Sequence, residues 1–438
     1  MNKIDTVGSY ECRIFKSEVL HEEYKCIYHR SGLPIYIFPK KMRNTYALFA
    51  THYGSVDNGF ILEGEDEATS LPFGIAHFLE HKMFTDENGG DALDVFSEYG
   101  ADANAYTSYD KTVYLFSCID NFRECLSELL RFVTHPHFTK ESVKKEQGII
   151  AEEIRMYDDS PGTRSYYAML DGLYVNHPIK QNICGDVSSI KKITPELLYK
   201  CYDIFYRTSN MALVICGDVN EADIIEIADE ILPQKSLCEI KITKRREKEP
   251  AGVNFPYKKQ KMQLAKPLFD IGIKDSDIPT TPERRARRGI VRSIINDLLF
   301  SQTGELYNSL YSEGLISPGM SGSYTISEDF AFDSVSGEAD NPEDVAERIK
   351  AYVRAKSEMG FTDEEFERCK KVFYASFVRE FDSTDDISNN LLSFVFDGYE
   401  LFEYTDIISS ITCEEVNEML KDAFRDEYYT LSVIYPID

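Results

Sequence analysis

Three side chains within five residues could do chemistry together: His77, Glu80 and His81 in the run His77-Phe-Leu-Glu80-His81. On a helix His77 and His81 stand at i and i+4, so their rings leave one face about a turn apart. That spacing lets two imidazoles grip one Zn²⁺ at about 2.0–2.1 Å. Glu80, three residues after His77, lies on the same side and can reach a metal-bound water without ligating the metal. The neighbours Ile75, Ala76, Phe78, Leu79, Met83 and Phe84 are apolar, so the predicted helix is buried. Two histidines and a glutamate in such a helix are costly to desolvate unless paired or coordinated. The plain alternative is a pair of satisfied core histidines beside an incidental glutamate.

Two histidines leave tetrahedral zinc incomplete, and a catalytic site needs a third protein ligand plus water. Residues 139–157 supply a candidate. Val143, Ile150, Ile154 and Tyr157 form an apolar stripe at helical spacing, and Glu146 and Glu153, seven residues apart, fall on it. Glu152 points away from it. A carboxylate facing a core needs a partner, which makes Glu153 the expected third ligand and Glu146 the group that orients a ligating histidine. The same residues are compatible with a merely charged helix carrying Glu146 in an ion pair.

The elements that must position these groups can be read along the chain. Strands are expected at 35–38, 46–53, 112–118 and 211–216, with a hairpin-like stretch near 104–110. Helices are expected at 72–84, 93–99, 122–134, 139–157, 195–206, 285–300, 342–359, 363–380 and 413–424. Ile193-Thr-Pro-Glu196 and Ile411-Thr-Cys-Glu414 each open a helix that runs into an apolar strand, and Phe138-Thr139 and Phe361-Thr362 each open a charged helix. These echoes come in the same order, which predicts two similar α+β domains, 1–233 and 262–438, joined by a charged linker at 234–261. All eight histidines precede residue 178, so histidine-based metal chemistry belongs to the first domain.

The chain has 438 residues, enough for two or three domains. Its net charge of −27 repels phosphate backbones and anionic lipids, which argues against nucleic-acid and membrane partners. No segment approaches the eighteen or so apolar residues of a membrane span, and the first fifteen residues lack the apolar core of a signal peptide. Ten irregularly spaced cysteines without a Cys-x-x-Cys pair read as reduced thiols, and the expected location is the cytoplasm.

His77-x-x-Glu80-His81 is the inverted zincin order, and with Glu153 following 72 residues after His81 it resembles the pitrilysin/insulinase (M16) family of zinc metallopeptidases. Further matches are Gly54-Ser55, Gly74-x-Ala76, Asn104-Ala105-Tyr106-Thr107, His177-Pro178 and the stretch from Tyr206 through Asn210 to Gly217-Asp218. The resemblance is strong over residues 30–220 and points to the small two-domain bacterial branch. It implies two similar domains, each an antiparallel sheet covered by helices, enclosing a chamber. It also implies one Zn²⁺ held by His77, His81 and Glu153, with Glu80 as the base that takes the proton of the attacking water and returns it to the departing amine. Asn104, Ala105, Tyr106 and Thr107 match the family's edge strand, where a peptide substrate pairs as an added strand. From the residues alone this segment is an ordinary turn and strand.

The pattern breaks in the second half. Active relatives carry an Arg and a Tyr that reach the substrate carbonyl, and the matching positions here hold Tyr311 and Ser317. Aligning Phe361-Thr362 on Phe138-Thr139 sets Cys369 and Ser376 opposite Glu146 and Glu153, so the second domain has no metal set. The expectation is a zinc metalloendopeptidase working as a heterodimer with a zinc-less homologous subunit that supplies the Arg/Tyr pair. The alternative is a non-catalytic scaffold or peptide-binding subunit.

Overall fold

The structure is a computed structural model describing residues 3–87, 89–235 and 240–437. Its first compact unit comprises residues 1–154, 182–245 and 378–402, and its second comprises 155–181, 246–377 and 403–438. The units therefore interleave along the chain, an arrangement that one cut at the expected linker does not describe.

Within the described residues, the first unit is built on an eight-stranded sheet. Five of its strands run in the spatial order Pro34–Pro39, Met211–Gly217, Thr45–Thr51, Thr112–Cys118, Asp102–Thr107. The first pair is parallel and the rest are antiparallel. The five-stranded sheet of the second unit repeats this plan as Tyr257–Met262, Tyr429–Pro436, Leu268–Lys274, Ala331–Glu338, Ser321–Ile326, again with one parallel pair followed by antiparallel ones. The expected duplication is thus a repeated sheet topology. Met211–Gly217 is buried at every position, as a central strand covered on both faces must be.

Each sheet carries a covering helix from the exchanged segments. Thr384–Asp397 packs on Met211–Gly217 and Thr45–Thr51, and Pro161–Leu173 packs on the corresponding strands of the second unit, Tyr429–Pro436 and Leu268–Lys274. Ser383 caps the first of these helices through the amide of Asp386, and Gly398, at φ +84°, ends it. Its buried Ile387, Leu391 and Phe394 recur at helical spacing, and burying each stabilises the fold by roughly 1.5–3 kcal/mol.

The expected linker is structured. Residues 236–239 lie outside the described residues. Beyond them, Ile242–Lys244 pairs with Gly59–Leu62 in the first unit, and Tyr257–Met262 is an edge strand of the second. The charges that suggested a solvated segment have partners: Lys244 with Asp57 at 3.2 Å, Arg246 with Asp329 at 2.7 Å and Glu249 with Lys274 at 2.6 Å.

Candidate metal centre

The helix Ile75–Met83 begins on Gly74, whose φ of +86° is one that only glycine adopts readily. A Cβ on Gly74 would meet the Cys184 carbonyl oxygen at 2.3 Å. Gly185, at φ +72°, meets the backbone of Phe73 just as closely from the other side. These two glycines let the loop at 182–186 close against the start of the motif helix. Ser189 adds a bond from its Oγ to the Phe73 carbonyl at 2.8 Å. The second helix, Lys140–Asp158, starts on reciprocal bonds between Thr139 and Ser142, and Gln147 fastens it to the carbonyls of Ile190 and Ile193.

These two helices bring His77, His81 and Glu153 together, with one donor atom from each lying within 4.8 Å of the others. The Nε2 atoms of His77 and His81 each stand 3.5 Å from a Glu153 carboxylate oxygen. A tetrahedron built on bonds of about 2.0–2.1 Å has edges of roughly 3.3 Å, so the separations fit one zinc ion. His81 Nδ1 lies 3.1 Å from Glu146 Oε1. A proton shared with Glu146 on Nδ1 would leave Nε2, on the side of Glu153, as the ligating nitrogen. Glu152 is exposed, as the stripe argument required.

Glu80 is buried, and Thr107 Oγ1 donates to its Oε2 at 2.5 Å. Burial lifts the Glu80 carboxyl above its ordinary range, against the opposing pull of His77, Thr107 and His81. Burial alone would lower the His81 imidazole, but the bond to Glu146 and the charges of Glu80, Glu146 and Glu153 raise it. Three carboxylates and two imidazoles thus converge on one small volume, a concentration of donors that a divalent cation would satisfy. The chemistry of the donor set and its spacing both fit zinc.

The peptide-binding candidates separate by face. Asp102–Thr107 is the edge strand of its sheet. Thr107 points to Glu80, whereas Tyr106 sends its hydroxyl to Asn389 Oδ1 at 3.0 Å. Asn104 Oδ1 accepts the Ala105 amide at 2.9 Å. Two neighbours of the site were not singled out from the sequence. Cys184 Sγ lies 3.7 Å from His77 Nε2, and burial pushes its thiol up. Neither Cys184 nor Asn389 belongs to a spaced motif, so only the fold identifies them. Tyr311 is half exposed on the helix Glu305–Ser312, and Ser317 accepts from Lys266 Nζ at 3.1 Å.

Two family models match the chain: insulinase (peptidase family M16) over residues 60–186 and the peptidase M16 inactive domain over residues 192–373. The uncharacterized zinc protease YmfH of Bacillus subtilis is 35% identical over 415 residues, spanning 94% of this chain and 96% of that protein. A crystal structure described as an M16-like peptidase, from Alicyclobacillus acidocaldarius, superposes with a TM-score of 0.90 at 31% identity, covering 99% of this chain and 100% of that one. A protease of Helicobacter pylori, at 20% identity, shares the fold with a TM-score of 0.81, over 95% of this chain and 100% of that chain.

Proposed function

Because the chain belongs to the insulinase (M16) family of peptidases, we propose that it is a zinc-dependent endopeptidase acting on peptides or unfolded segments. The observation that carries this reading is the convergence of His77, His81 and Glu153 donor atoms within 4.8 Å beside a buried Glu80. Zinc, when bound by His77, His81 and Glu153, supplies an acidified water and a Lewis-acid contact to the scissile carbonyl. Glu80 takes the proton of the attacking water and delivers it to the departing amine. A carboxyl raised by burial suits both halves of that exchange, since it holds a proton more readily than a solvated one. Thr107 fixes the Oε2 edge of Glu80, and Glu146 fixes the ring of His81. The free edge of Asp102–Thr107 offers backbone groups to an extended peptide, a mode that favours unfolded substrates.

Glu80→Gln tests the reading. The variant should keep about one zinc per chain by metal analysis and lose peptide cleavage by at least 10²–10⁴-fold. Cleavage by the variant at the wild-type rate would sink the assignment of Glu80 as the base, and a zinc-loaded wild-type chain that binds peptide but cleaves none, with or without a partner, would favour a non-catalytic peptide-binding subunit.

The work is divided with a homologous zinc-less subunit that contributes an Arg and a Tyr to the substrate carbonyl. Tyr311 and Ser317 at the matching positions support this division. The purified chain alone should cleave weakly and gain rate on mixing with such a partner. Full activity alone, unchanged by the partner, would refute it. No helix among the described residues is long and apolar enough to cross a membrane. The nine described cysteines are free thiols, which supports a reducing, cytoplasmic setting.

A further inference from the structure

Consecutive residues of a strand face opposite sides of its sheet, and Tyr106 and Thr107 use that alternation to hold the edge strand from both sides. On one side Thr107 bonds Glu80 of the motif helix. On the other, Tyr106 bonds Asn389 in the helix Thr384–Asp397, a segment almost three hundred residues later in the chain.

The Asn389 amide is oriented before it meets Tyr106. Its Nδ2 donates to the Asp385 carbonyl at 2.9 Å, which turns Oδ1 toward the Tyr106 hydroxyl. One amide thereby ties the edge strand to this helix. The helix is itself anchored near both ends. Asn44 Nδ2 donates to Thr384 Oγ1 at 3.2 Å, and the His52 ring stacks on Phe396 at 5.0 Å.

A strand in the middle of a sheet is held in plane by neighbours on both sides, but this edge strand has a ladder on one side only. Its outer amides and carbonyls meet an incoming peptide in register only if the strand does not roll about its own axis. Thr107 alone leaves such a roll open, because a single bond is a pivot. The second bond, on the opposite face and one residue away, closes it.

We propose that Asn389 is a positioning residue for peptide docking: through Tyr106 it holds the edge strand Asp102–Thr107 in the plane that receives an extended peptide. The proposal rests on the reading of that strand as the substrate edge, and it deepens that reading by assigning part of it to the second half of the sequence. Asn389 touches no reacting group, so its loss acts on binding rather than on proton transfer.

The test measures binding of a fluorescent extended peptide to the zinc-loaded chain in a Glu80→Gln background, so that turnover does not intervene. Asn389→Ala and Tyr106→Phe should each weaken binding about fivefold, the effect of one lost hydrogen bond. The double variant should be no weaker than either single one, because both remove the same contact. Zinc content should stay at one per chain. Asn390→Ala, which alters the next residue of the helix and a bond to Glu380 instead, should leave binding unchanged. In the Glu80 background, Asn389→Ala should raise KM with kcat within twofold. Binding unaffected by Asn389→Ala, multiplying losses in the double variant, an equal loss in Asn390→Ala, or no peptide binding by any form would overturn the proposal. A zinc-loaded wild-type chain that binds peptide in an Asn389-dependent way but cleaves none, with or without a partner, would overturn the peptidase reading and leave the docking assignment standing.

Discussion

The same hairpin occurs twice, and only one copy is fitted to hold a metal. In the first unit, Asp102–Thr107 and Thr112–Cys118 flank a four-residue connection closed by Ser108 N to Lys111 O at 2.8 Å. In the second, Ser321–Ile326 and Ala331–Glu338 flank a connection closed by Ser327 N to Phe330 O at 2.9 Å. A helix packs on each hairpin: Ile75–Met83 on the first and Pro282–Phe300 on the second. Both helices carry polar side chains at i and i+4 on the packed face, fully buried in the second helix and only partly so at His81 in the first. In the first these are His77 and His81, which face Glu153. In the second they are Arg292 and Asn296, which bond the buried Asp333. The Arg292 guanidinium also lies over the rings of Tyr324 and Phe424, at 5.2 and 4.7 Å. Even the neighbouring charged helices correspond, since Cys369, opposite Glu146 in the sequence, contacts the Ile294 carbonyl at 3.8 Å. A buried polar helix face has to be satisfied somehow. The second unit carries its positive charge covalently, on an arginine. The first assembles carboxylates and imidazoles whose spacing suits a divalent cation.

Breaking the arginine pair should give the largest effect. Arg292→Leu strands a fully buried Asp333 and should destabilise the protein by about 3–5 kcal/mol. The double variant Arg292→Leu/Asp333→Leu should recover most of that loss in a urea titration, and zinc stoichiometry should not change. A single variant as stable as wild type would show that the Arg292 charge is not what compensates the buried Asp333.

Next in size is the contact that orients His81. Glu146→Gln should weaken zinc affinity by about 10–100-fold, measured by competition with a chromophoric chelator. The corresponding Cys369→Ala should leave it alone. Equal effects would mean that the two helices act on zinc only through general packing.

Most of this comparison was legible in the sequence on the first side and little of it on the second. His77, Glu80, His81, Glu146 and Glu153 announce themselves because helical spacing maps directly onto one face. The helices Phe122–Thr134, Pro342–Met359 and Asp363–Glu380 fall where periodicity puts them. Periodicity reveals that a face is buried but not what buries it. The exchange of Pro161–Leu173 and Thr384–Asp397 between units, and hence the role of Asn389, was therefore invisible. The linker misled for a related reason. A run such as Lys244-Arg245-Arg246 reads as solvated until Asp57 and Asp329, far away in sequence, are found beside it.

The two hairpin connections offer the finest contrast. Each carries an aspartate at its third position, Asp110 and Asp329. Burial works to raise both carboxyls, yet both are held below the usual carboxylate range. Asp110 owes this mainly to its neighbours Lys111 and Ser108, the latter donating at 2.7 Å. Asp329 owes it to His177 at 3.3 Å and Arg246 at 2.7 Å, which come from two distant segments. A depressed carboxyl adds stability above its unfolded pKa of about 3.9, and that stability is lost as the pH falls toward the folded value. Asp329→Asn should therefore cost about 1 kcal/mol at pH 7, with the gap from wild type narrowing between pH 5 and pH 3. Asp110→Asn should follow the same pH trend with a smaller amplitude, because its partners remain beside it in the unfolded chain. Urea midpoints at the two pH values would decide the matter. A gap that widens in acid would mean that the Asp329 carboxyl is not held by His177 and Arg246.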